Sequence, residues 1–292
     1  MKKTVESKNN KTFCCKFDMM FRKVFIAFLL LFMARGAYPQ WPLIDDGLYL
    51  NPSDAGRPYS KINLTGEVFN MVEGQLWQFG FGGAYAFGRH RNQVNLKIPF
   101  VRTVFAGIES FSGIGDITAG YSYVFYERSS VTSSFSHATF SLNASFPTGN
   151  QYTGQGVGRT VIVPALTLSF KPVEQVGVYP VLRYITSLKP AQGEWAGGFP
   201  GAIPDESGSN PEKRISVLQL AGAFNLEFNA TWLGLTPVYT YDLNQGESTI
   251  NLRPEIGKLF NDSILLRLNS TLYIAGKRTL LYWTQFELAY YF

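Results

Sequence analysis

The stretch Leu280 to Phe292, LLYWTQFELAYYF, governs how the rest of the chain is read. Tyr282, Thr284, Phe286, Leu288, Tyr290 and Phe292 share one phase of a two-residue period, and Trp283, Gln285, Glu287, Ala289 and Tyr291 share the other. A pleated strand imposes that period, because successive side chains point to opposite faces. The segment is therefore predicted to be a strand with one apolar face and one mixed face, ending on an aromatic residue. A soluble β-sandwich can close on such a strand, with the apolar face in its core, so the choice of architecture rests on the rest of the sequence.

The same pattern recurs. Segments near 62–73, 75–88, 91–101, 116–127, 137–147, 160–171, 176–187, 214–228, 231–243, 248–258, 263–275 and 280–292 alternate in polarity between turn-forming residues. The alternation is clearest where Ala138, Phe140, Leu142, Ala144 and Phe146 are interleaved with Thr139, Ser141, Asn143 and Ser145. Each segment is long enough to cross a hydrocarbon layer as a tilted strand, which takes about nine to eleven residues. Beyond residue 37 no apolar run is long enough for a helical span, which needs about eighteen residues. Alternation alone fits either a sandwich or a membrane barrel with lipid outside, but loop lengths separate them. Connections near 88–91, 171–176, 228–231 and 258–263 are short, whereas 101–116, 147–160 and 187–214 are long and fall on the opposite side. The 127–137 connection is longer, and 243–248 and 275–280 shorter, than that division predicts. Short turns on one side and longer loops on the other are the habit of outer-membrane barrels. The expectation is an all-β fold, a transmembrane antiparallel up-and-down β-barrel of about twelve strands over residues 61–292. The chain's end resembles that of bacterial outer-membrane barrels. The resemblance implies that Phe292 acts as an assembly signal read by the barrel-assembly machinery, with outer-membrane lipid and lipopolysaccharide around the wall.

Composition agrees: of 292 residues 15% are aromatic, 16% are charged and 28 are Gly. Val24 to Ala34 is an uninterrupted apolar run behind Arg22 and Lys23, short for a membrane span and right for a secretory signal. Residues 1–37 are expected to be a signal peptide cleaved after Gly36 or Ala37, or after Gln40, with Met19 or Met20 as alternative starts to Met1. This segment holds eight basic and two acidic residues, +6 against the chain's formal +5, so the remainder carries −1. A nucleic-acid partner, which calls for a basic stripe on the folded domain, is not expected. Cys14 and Cys15 both precede the apolar run, which leaves residues 38–292 without thiolate chemistry or Cys-bound zinc. Residues 38–60, with Pro39, Pro42, Pro52 and Pro58, show no alternation and are expected to lie below the barrel or enter its lumen.

Gly113-Ile114-Gly115-Asp116 ahead of Ile117 to Phe125, and Phe146-Pro147-Thr148-Gly149 some thirty residues later, resemble motifs of the transporter family named for the MetA pathway of phenol degradation. In that family a Gly-x-Gly-Asp turn opens one strand and a Pro-Thr-Gly step ends the next. The resemblance covers residues 61–292 and implies an outer-membrane channel for small solutes, aromatic or apolar ones among them, without catalytic residues. Gly154 to Arg159 (GQGVGR) lacks the spacing and context of a phosphate cradle and reads as a mobile Gly-rich external loop.

No catalytic set is expected. The two histidines, His90 and His137, both read as turn residues near one rim, and Ser136 and His137, adjacent on a strand, are expected to point apart. No cofactor or metal is implied. The remaining chemistry is a set of charges on the presumed lumenal face: Glu67, Lys97, Arg183, Glu227, Arg253, Glu255, Arg267 and Glu287, four acids with four bases. Such a lining admits water and sets selectivity, and its balance argues against strong ion selectivity. The expected function is passive or facilitated passage of a small solute. A structural or surface-interaction barrel with a plugged lumen is the alternative, and an outer-membrane enzyme a more distant one.

Overall fold

The computed structural model describes residues 43–44, 48–49, 56–71, 74–105, 110–128, 134–150, 155–188, 214–276 and 280–292. The expected signal peptide and most of 38–55 lie outside the described residues. A minimal antiparallel pair, β1 (Leu43–Ile44) and β2 (Leu48–Tyr49), precedes the barrel.

The barrel strands are β3 (Lys61–Met71), β4 (Gly74–Phe87), β5 (Asn92–Phe105), β6 (Phe111–Ile114), β7 (Ile117–Glu127), β8 (Phe135–Phe146), β9 (Val161–Val173), β10 (Val176–Ser187), β11 (Ser216–Phe228), β12 (Thr231–Asp242), β13 (Glu247–Phe260), β14 (Ile264–Gly276) and β15 (Leu280–Tyr291). Each pairs antiparallel with its neighbours, β15 pairs with β3, and the β4–β5 pairing closes the ring. Because β6 and β7 both pair with β5 and continue one another, the wall has twelve staves. Pairing of β15 with β3 and of β4 with β5 closes the sheet on itself, the arrangement by which a sheet can sit in lipid.

Period-two alternation fixes which face is which. Leu64, Phe79, Phe81, Phe100, Phe140, Leu220 and Leu288 are exposed on the outside, while the alternate positions Thr65, Thr139, Gln219, Asn225 and Glu287 are buried inside. The polar-inside arrangement excludes a sandwich core. At the end of the barrel that carries Phe292, tight turns join the strands. Arg89-His90, Asn229-Ala230 and Asn261-Asp262 all adopt positive φ, the backbone of primed hairpin turns that Asn and Asp tolerate. Buried apolar residues gather at the two ends rather than in one central core. One cluster joins Tyr59, Ala230, Trp232, Leu259, Leu265, Ala289 and Tyr291. The other joins Val157, Val161, Ile185 and Val217.

Candidate functional site

The inner face carries charges paired across neighbouring strands. Strand register sets Arg267 opposite Glu287, Gln285 opposite Glu67, and Glu67 opposite Gln78. Lys97 reaches Glu67 from β5 by passing over β4, where position 80 is Gly. A Cβ there would lie 2.7 Å from Lys97 Cε and would also meet Thr65 Oγ1, so only Gly lets the ammonium through. Gln78 and Gln285 each donate to the same Glu67 oxygen at 3.3 Å. Glu287 accepts from Lys61 at 2.9 Å, from Asn63 at 3.1 Å and from Arg267. Arg267 also lies 3.9 Å from Glu255, whose carboxylate accepts the Trp232 indole N–H at 2.8 Å.

Five of the eight expected lumenal charges thus pair in two groups, Glu67 with Lys97, and Arg267 with Glu287 and Glu255. The other three make other contacts: Arg183 donates to Gln219 at 2.9 Å, Arg253 donates to Thr271 at 3.1 Å and lies 4.8 Å over the Trp283 ring, and Glu227 is 3.6 Å from Lys171. Lys61 and Lys171 belong to the inner face as well and were not among the expected eight. Lys61 escaped because the first strand was begun at residue 62. Yet it shares the phase of Asn63, Thr65 and Glu67, which was the available signal. The acids lie beneath their partners. Side-chain exposure is 5% for Glu67 and 2% for Glu287, against 32% for Lys97, 28% for Arg267 and 25% for Lys61. What faces the passage is therefore more basic than a count of four and four suggests.

At the Phe292 end, residues 56–60 enter the barrel. The Arg57 guanidinium pairs with Glu127 at 2.9 Å, Thr139 donates to the Gly56 carbonyl at 2.8 Å, and Gln93 donates to the Tyr59 carbonyl at 2.8 Å. Tyr59 packs edge-on against Tyr291 with centroids 6.0 Å apart, and Pro58 is fully buried. Partners on β5, β7, β8 and β15 mean that this strap crosses the barrel rather than following one strand. Phe292 is 66% exposed on the outer rim, and its N–H donates to the Ser60 carbonyl at 3.2 Å.

At the opposite end the three short motifs converge. Gly115-Asp116 is not a turn, as the family resemblance implied, but a gap between β6 and β7, with Gly113 inside β6. Asp116 Oδ1 accepts from the Gly149 N–H at 3.0 Å, and Oδ2 from the Val157 N–H at 2.7 Å. Thr148 Oγ1 donates to the Gly115 carbonyl at 2.8 Å and accepts the Ile117 N–H at 2.9 Å, while Pro147 follows the last residue of β8. Burial pushes the Asp116 carboxyl above its ordinary value, and the backbone N–H groups of Val157, Gly149 and Thr148 oppose the shift. Residues 155–160 therefore do not form a loose loop: Val157 and Arg159 are buried, Val157 against Val161, Ile185 and Val217. Asp116 fixes them.

The histidine reading needs one correction. His90 sits in a left-handed turn as expected, but Ser136 Oγ lies 3.2 Å from His137 Nδ1 although neighbouring side chains leave a strand on opposite faces. His137 is buried under the wall, in β8.

No family model and no curated protein matches this sequence. Solved structures do resemble it. The crystal structure of an outer membrane channel from Pseudomonas putida F1 superposes with a TM-score of 0.62 at 14% identity, covering 83% of this chain and 100% of that one. The NanC porin superposes with a TM-score of 0.54 at 10% identity, covering 79% and 98%. At such identities the likeness shows the fold, a closed twelve-stranded barrel of the outer-membrane kind.

Proposed function

We propose that the chain is a bacterial outer-membrane channel for small solutes, held at its periplasmic mouth by the strap of residues 56–60. The observation that carries this reading is the inner face itself: Lys61, Lys97 and Arg267 are water-accessible above covered acids. A dry, packed interior does not keep such cations accessible, because an unhydrated charge is costly to bury. The exposed apolar exterior supports a lipid surround, with Phe292 on the periplasmic rim as the assembly signal. The fold likeness to channels, together with the Gly-x-Gly-Asp and Pro-Thr-Gly segments, supports membership of the MetA-pathway family and a route open to aromatic or apolar solutes.

A second reading, a structural barrel with a plugged lumen, is favoured by the strap at one end and the folded 155–160 segment at the other. Planar-bilayer recording of the mature protein and of a variant lacking residues 38–60 separates the two. Channel function predicts larger unitary steps in the shortened variant. No conductance from either protein would leave the plugged barrel standing.

A further inference from the structure

We propose that Arg183 and Arg253 form a carboxylate-binding filter inside the passage, an inference that rests on the channel reading above. The other cations of the central group already have acids: Lys97 has Glu67, Lys61 has Glu287, and Arg267 has Glu287 and Glu255. Among the described residues, Arg183 and Arg253 have no carboxylate within 4 Å. Each instead spends one N–H on a neutral oxygen, Gln219 Oε1 or Thr271 Oγ1. Five bases therefore stand against three acids in this group, and the surplus of two sits on these two guanidinium groups.

Geometry turns the surplus into a site. Arg183 projects from β10 and Arg253 from β13 to the same inner face. A guanidinium group without a carboxylate partner in a partly desolvated passage is relieved by a passing anion. Gln219 is itself anchored to Thr240 at 3.3 Å, which fixes the Arg183 end. Arg253 lies on Trp283, whose other neighbour is Phe69, stacked 5.7 Å away at an interplanar angle of 12°. The Nε–H of Arg253 and one NH2 group of Arg183 are engaged, which leaves the remaining N–H groups of each fork for a ligand. A fixed planar fork matches a carboxylate, which accepts two parallel hydrogen bonds, better than it matches a spherical halide. The expected ligand is a small organic carboxylate, retained briefly on its way through.

The test uses the mature protein in planar bilayers, first in a KCl gradient and then with sodium benzoate on one side. Wild type should favour chloride over potassium and show a concentration-dependent block by benzoate. R183Q/R253Q should lose the chloride preference, and its half-blocking benzoate concentration should rise about tenfold or more, the loss expected from one or two charge-assisted hydrogen bonds. R183K/R253K keeps both charges but not the forks, so it should retain the chloride preference and lose most of the block. A heat-modifiable gel shift checks that each variant is folded. A cation-preferring wild type, or a block unchanged in R183Q/R253Q, would overturn the filter. If wild type does not conduct at all, the channel reading fails separately. Calorimetric titration of benzoate into the detergent-solubilised barrel then decides the site: binding weakened in R183Q/R253Q upholds it, and no binding overturns it.

Discussion

The two ends of this barrel are occupied by different physics. At the Phe292 end the strap is anchored by packing, with Tyr59 seated among Trp232, Leu259, Leu265, Ala289 and Tyr291, and the Arg57–Glu127 ion pair and hydrogen bonds from Thr139 and Gln93 to its carbonyls beside it. At the opposite end the folded segment is held by backbone N–H groups converging on one carboxylate, Asp116. Packing is non-directional and comes away as a unit once its anchor is lost. A carboxylate gripping backbone amides is directional, and it fixes the path of the chain. The Phe292 end is therefore expected to come away when Tyr59 is lost, and the other end to keep its path.

Substitutions can break or sharpen that contrast. Tyr59→Ala should have the largest effect, because removing a buried aromatic side chain costs about 3–5 kcal/mol. Here that cost should release the strap rather than unfold the wall, seen as protease cleavage near residue 57 with the heat-modifiable barrel intact. Between the ends, Leu142→Arg puts a charge on the lipid face and should cost about 2–4 kcal/mol near the membrane midplane, whereas Asn143→Arg should cost little. Urea unfolding in lipid vesicles measures the pair, and equal losses would mean the faces are misassigned. At the other end, Gly156→Ala places a Cβ against Asp116 Oδ1 and 2.9 Å from Gly149 Cα. Displacing one charge-assisted bond costs about 1.5–3 kcal/mol, so cleavage within 150–160 should rise while strap protection stays unchanged. Arg57→Gln should do least, under about 1 kcal/mol, because its ion pair is partly solvated.

The strands were legible in the sequence because a period of two sustained over eleven to fourteen residues is the period of a pleated strand, and loop lengths then told barrel from sandwich. The strands lie within a few residues of their expected positions, the main differences being the longer run of β5 to Phe105 and the separate β6. At four residues, β6 is too short for a period to show. The ends were less legible, because Asp116 meets Gly149 and Val157 across 33 and 41 residues, and no local pattern encodes a contact of that kind. Gly-rich segments look loose in sequence. Here Gly149 and Gly156 are small because their backbones pass each other and Asp116 closely. The lumenal charges could be counted in advance but not paired, since pairing depends on register across strands. That dependence is why Arg183 and Arg253 looked balanced by acids that in fact serve Lys61, Lys97 and Arg267.

Thiol labelling at adjacent positions of β8 tests most directly that the polar face lines a wet passage and the apolar face meets lipid. The chain has no cysteine after Cys15, so Leu142→Cys and Asn143→Cys each introduce a single reporter into the barrel once Cys14 and Cys15 are replaced. A charged, membrane-impermeant thiol reagent applied to intact outer membranes should modify the residue at 143 and leave the residue at 142 unreacted until detergent is added. Rapid labelling at 142 with protection at 143 would contradict the assignment of the two faces, and with it the passage through the barrel.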